Sequence, residues 1–159
     1  MDGVSAIDGD ITKIGDKYHL FYVAHDGVGG IKQAVSDRMN GGYVYDARWY
    51  DFEPKACEAP NVWKRIGEDK WVLMYDIFSI HPHNFGFAET SDFVHFKNLG
   101  HFNEGVMKTT NYTSPKHGAV IHLTKRKLII WRNIGRYISG SMIVKHSFAS
   151  KVNTPKNEK

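Results

Sequence analysis

The feature that most limits what this chain can fold into is an internal repeat. Ile14-Gly15-Asp16-Lys17-Tyr18 returns as Ile66-Gly67-Glu68-Asp69-Lys70-Trp71 with one residue added, and Ser36-Asp37 returns as Ser91-Asp92. In each copy an ionisable residue opens a first strand, a turn follows, and an apolar second strand comes next. The first copy runs Ala6-Ile7-Asp8-Gly9-Asp10-Ile11, then Lys17-Tyr18-His19-Leu20-Phe21-Tyr22. The second runs Glu58-Ala59-Pro60-Asn61-Val62-Trp63, then Lys70-Trp71-Val72-Leu73-Met74-Tyr75-Asp76. A third begins at Lys116-His117-Gly118-Ala119-Val120-Ile121, and its second strand is expected over residues 127–131.

Within a copy the side chains alternate, Tyr18, Leu20 and Tyr22 on one face and His19, Phe21 and Val23 on the other, as a strand requires. Strands are expected over residues 4–14, 17–24 and 31–36, with an outer strand at 43–45. The second copy repeats them over 59–66, 70–76 and 85–90, with an outer strand at 94–96. Four short strands in a repeat of roughly 40–50 residues describe a β-propeller blade. The expected fold is therefore all-β: a partial propeller of about three four-stranded antiparallel blades over residues 1–136. Residues 137–159, polar and basic toward their end, read as an irregular, disordered tail. Propellers close with about four to eight blades. Either the chain is a fragment, incomplete at its N-terminus, or the remaining blades come from elsewhere, and the open edges invite self-association.

Several function classes fall away. The net charge of +4 is scattered, and its densest run is Lys125-Arg126-Lys127, so no basic stripe addresses nucleic acid. The single cysteine, Cys57, excludes an internal disulfide and reads as a buried core residue. No apolar run reaches about 18 residues, so no membrane span is expected. Residues after Met1 show no basic-then-apolar leader, which leaves localisation open. Asn111-Tyr112-Thr113 matches a glycosylation acceptor and reads as coincidence in that setting.

In a propeller the inner strands line one funnel, so residues at their starts converge although distant in sequence. Asp8, Glu58 and His117 occupy matching places, and two carboxylates with a histidine make an acid/base site. His81-Pro82-His83 lacks the further ligands of a zinc site. Asp76 reads as a polar wall of the pocket or as a turn residue. Trp49, Trp63 and Trp71 offer flat stacking surfaces, although Trp71 sits where blade packing is expected.

Together these motifs, with Ala34-Val35-Ser36-Asp37, resemble glycoside hydrolase family 43, the five-bladed arabinofuranosidase/xylosidase family, over roughly residues 4–131. The resemblance implies that Glu58 is the general acid, with Ala59 standing where glycine is usual. It implies that Asp8, with Asp10 as the second candidate, positions that acid and tunes its proton affinity. His117 would lie under the pocket beside a structural ion or water, no other cofactor being implied, and Asp76, His117 and Trp63 would meet the sugar. The implied reaction is inverting hydrolysis of arabinose- or xylose-containing plant-type glycans, by relatives that are often exported. The family's general base, an Asp on the preceding blade, has no match here. Little or no hydrolytic activity is therefore expected of the chain alone. The alternative is a non-catalytic carbohydrate-binding or interaction propeller.

Overall fold

The computed structural model describes residues 5–25, 27, 29–107, 113–127 and 129. Two four-stranded sheets account for its regular structure. The first is β1 (Ala6–Ile14), β2 (Lys17–Ala24), β3 (Ile31–Ser36) and β4 (Val44–Asp46); the second is β5 (Glu58–Lys64), β6 (Trp71–Ile77), β7 (Asn84–Thr90) and β8 (Lys97–His101). Every pairing is antiparallel and joins strands adjacent in sequence, so each sheet is the meander expected of a blade. A 3-10 turn over Phe102–Glu104 follows β8. Among the described residues no helix is long and apolar enough to cross a membrane.

Two expectations are corrected. The outer strand of the second sheet is β8, not residues 94–96. The Asp92 carboxylate takes the backbone N–H groups of Val94 (2.9 Å) and His95 (2.8 Å), so those donors close a turn and leave the ladder. The strand expected over residues 127–131 is also not found: residues 125–127 and 129 are helical. The Thr124 hydroxyl accepts the Lys127 N–H at 3.3 Å, the bond of a helix N-cap. Residues 1–122 form one compact unit and residues 123–159 another. The rest of that expected strand, the tail at 137–159, and Asn111 and Tyr112 lie outside the described residues.

The two sheets face each other across an apolar layer. Phe21, Val23, Ile31 and Tyr50 come from the first sheet and the segment after it; Val62, Leu73, Tyr75, Ile77 and Ala88 come from the second, with Cys57 just before β5 and Phe93 in the turn after β7. Val72, Met74, Phe85, Phe87 and Phe102 cluster on the far face of the second sheet, with Trp63 and Val120 packed against them. β6 is thus buried on both faces, since successive side chains point opposite ways, and it reads as an unbroken apolar run. Gly86, paired with Tyr75, admits that ring: a Cβ there would lie 2.2 Å from it.

Candidate active site

The site begins with a defect that both inner strands share. In β1 the register jumps between Ile7 and Asp10, so Asp8 and Gly9 lie opposite the one residue between Val23 and Phe21, which is Tyr22. In β5 it jumps between Glu58 and Asn61, so Ala59 and Pro60 lie opposite Tyr75. Each is a bulge, which re-aims the residues around it. Asp8 takes φ 54° and Ala59 takes φ 48°, and His117 at the start of the third copy takes φ 48°. Asp8, Ala59 and His117 are therefore the equivalent positions. Glu58 stands one residue earlier, which corrects the matching of Asp8, Glu58 and His117 drawn from sequence.

The three side chains nevertheless meet. Asp8, Glu58 and His117 each bring one ligand atom within 4.8 Å of the other two. His117 Nε2 is 2.8 Å from Glu58 Oε1, and Lys116 Nζ lies 3.7 Å from the same oxygen. Asp8 Oδ2 accepts the backbone N–H of Ala59 at 3.2 Å, which fixes the carboxylate beside the Glu58–Ala59 peptide. Asp76, directly opposite Glu58 in the β5–β6 ladder, accepts the His117 backbone N–H through Oδ2 at 3.0 Å.

A second set of bonds holds the inner strands side by side. Asp10 Oδ2 accepts the Val62 N–H at 2.7 Å, and Asn61 Oδ1 accepts the Val120 N–H at 2.8 Å. The two rungs join the same positions of successive copies. They assign Asp10 to holding the neighbouring strand, whereas Asp8 faces Glu58. Burial pushes the Asp10 carboxyl up, against the Val62 N–H and the Asn61 side chain, which favour its ionised form. The cavity, of about 400 Å³, is lined by Asp8-Gly9-Asp10, Ala59-Pro60-Asn61 and His117-Gly118-Ala119, one triplet from each copy.

The other sequence candidates lie apart from that lining. Trp63 packs on the cluster of Val72, Met74 and Phe85, because alternation turns it away from Val62. Asp76 has a fully buried side chain, so it forms no exposed wall. Its carboxyl is pushed up, by burial first; the His117 N–H pulls it down and the Glu58 charge pushes it up. Trp49 lies over the Gly30 backbone with Lys32 Nζ 4.4 Å from its ring, and Trp71 meets Phe93 at 4.9 Å within the core. The rings of His81 and His83 lie 4.8 Å apart, tilted at 56°, and among the described residues no third donor joins them. Burial pushes the Cys57 thiol far up, as an inert core residue requires. Sequence reasoning missed Lys116 and the two rungs; aligning Asp10-Ile11, Asn61-Val62 and Ala119-Val120 would have exposed the rungs.

The ion that the resemblance implies near His117 can be tested against these donors. Two carboxylates and one imidazole are too few for a closed structural zinc site and fit a cation that completes its shell with water.

A family model described as "Probable glycosyl hydrolase domain", related to glycoside hydrolase family 43, matches residues 1–128. No curated protein matches the chain. Solved structures are similar to it, three of them as follows. A "putative glycoside hydrolase" from Parabacteroides distasonis aligns with TM-score 0.55 and 17% identity over 64% of this chain and 34% of that one. A glycosyl hydrolase from Bacteroides ovatus gives 0.51 and 15% over 61% and 31%. A "putative glycoside hydrolase" from the same species gives 0.50 and 16% over 60% and 30%. At such identities the likeness speaks for the fold, and the chain spans about a third of the length of these structures.

Proposed function

This chain belongs to the glycosyl hydrolase family related to glycoside hydrolase family 43, and on that premise we propose that its cavity is the acid side of a sugar-cleaving site. The observation that carries the reading is the meeting of Asp8 and Glu58, from the two inner strands, with His117, from the start of the third copy, within 4.8 Å. Glu58 protonates the departing glycosidic oxygen, Asp8 orients it and supplies a neighbouring negative charge, and His117 holds it through Oε1.

The separation of the carboxylates argues for this division of labour. An inverting pair stands about 6.5–9.5 Å apart to leave room for water, and a retaining pair about 5–5.5 Å. Asp8 and Glu58, each with an oxygen within 4.8 Å of the other, are closer than the inverting arrangement requires. Asp8 is therefore a poor water-activating base, and the base of an inverting reaction comes from outside the described residues. A cation held by Asp8, Glu58 and His117 together would need Glu58 ionised, so the acid role given to Glu58 leaves only Asp8 and His117 to hold one. The substrates we propose are arabinose- or xylose-containing glycans.

The test has two arms. The purified 159-residue chain is expected to turn over aryl-arabinosides and aryl-xylosides slowly or not at all; robust turnover contradicts the division of roles. In a polypeptide that also carries the preceding blade, Glu58→Gln is expected to abolish turnover while sugar binding persists. Unchanged turnover removes Glu58 from the chemistry.

A further inference from the structure

The side chain beneath the site that catalysis does not use directly is Asp76. It stands opposite Glu58 one residue before the end of β6, its side chain is 0% exposed, and its Oδ1 is buried with no hydrogen-bond partner among the described residues. Its Oδ2 accepts the His117 N–H at 3.0 Å and lies 3.8 Å from His117 Nε2, the atom that reaches Glu58.

His117 needs such an anchor. Its backbone is left-handed, a conformation that residues with a Cβ adopt only where the surroundings impose it. The segment leading to it is strapped to the second sheet: the Asn103 side chain donates to the Thr113 carbonyl at 3.3 Å, and the Ser114 hydroxyl accepts the His83 N–H at 3.0 Å. Neither strap reaches the imidazole. Asp76 touches the backbone of His117 and lies near its ring, and it is placed in the ladder by the strand that also pairs with Glu58.

We infer that Asp76 is a positioning residue: a buried carboxylate that fixes His117 by its backbone N–H and its ring, and through His117 sets the orientation of Glu58. It does not contact the sugar. This departs from the pocket-wall role the sequence suggested. The inference deepens the glycosidase reading and rests on it for its purpose, but its test reads the side chains themselves and not turnover.

Two variants separate the contributions. Asp76→Asn keeps an oxygen for the His117 N–H and removes the charge. Amide exchange at His117 is then expected to stay slow, while the His117 imidazole and Glu58 carboxyl NMR resonances move from their wild-type positions at pH 7. Asp76→Ala removes both, and His117 amide exchange is expected to accelerate about tenfold or more, as loss of a charge-assisted hydrogen bond implies. Wild-type imidazole and carboxyl resonances in Asp76→Asn overturn the inference, because a carboxylate that merely capped an N–H would be replaced by the amide without trace. That result decides the matter even if Asp76→Ala does not fold. The resonances report on Asp76 whether or not the chain cleaves sugars, so failure here and failure of the glycosidase reading are distinguishable.

Discussion

Ala59 occupies a left-handed backbone position, φ 48°, inside the bulge that delivers Glu58. The Cβ makes that conformation costly, and glycine adopts it freely. Ala59→Gly is accordingly expected to stabilise the fold by about 1 kcal/mol, read as a raised denaturation midpoint with unchanged slope. The neighbouring acid is legible through pH. The proton affinity of Asp76 is raised above its ordinary value of 3.8 by burial, so the folded state holds a proton more tightly than the unfolded chain does. Its contribution is therefore most favourable below the unfolded value and is lost as pH rises through the raised one. Asp76→Asn is expected to flatten the fall in stability above about pH 4, measured by denaturation at a series of pH values. Sequence alone pointed to Asp8, Glu58 and His117 but not to the one-residue offset of Glu58. A bulge is a backbone event, and only the positive φ of Asp8, Ala59 and His117 reveals the true correspondence.

At the scale of the strands, β6 was legible because a segment buried on both faces is apolar throughout, and the hairpins were legible from Gly15-Asp16 and Gly67-Glu68. β8 was not: Lys97-Asn98-Leu99-Gly100-His101 has little apolar alternation, and its place depends on Asp92 closing the turn before it. The strand expected over residues 127–131 was not legible as helix because Lys127 followed by Leu and Ile suits either period, and the Thr124 cap decides for helix at residues 125–127. The rungs make a prediction of their own. Asn61→Ala removes the acceptor of the Val120 N–H, so amide exchange at Val120 is expected to quicken while exchange within β6 and β7 stays as it was. The layer between the sheets makes another: Leu73→Ala, at a fully buried position, is expected to cost about 2–5 kcal/mol. Ile11→Ala, at a position 45% exposed, is expected to cost much less, and urea denaturation of both variants gives the comparison.

For the whole molecule, the two sheets and the start of a third copy gather three equivalent triplets around one cavity. Ile7, Ile11, Val44 and Tyr45 meanwhile leave apolar surface on the first sheet exposed. Such surface favours association, and sedimentation is expected to show concentration-dependent oligomers of the purified chain. The central claim is that the cavity is where sugar is held, with Glu58 beside it, against the lining residues Asp8 and His117. It is tested most directly by titrating arabino- and xylo-oligosaccharides into the isotopically labelled chain and following its NMR spectrum. The account predicts that the resonances that shift are those of residues 8–10, 58–61 and 116–119, and that Glu58→Gln retains the same pattern. Shifts confined to surfaces elsewhere, such as the exposed ring of Trp49, with those three segments unmoved, would contradict it.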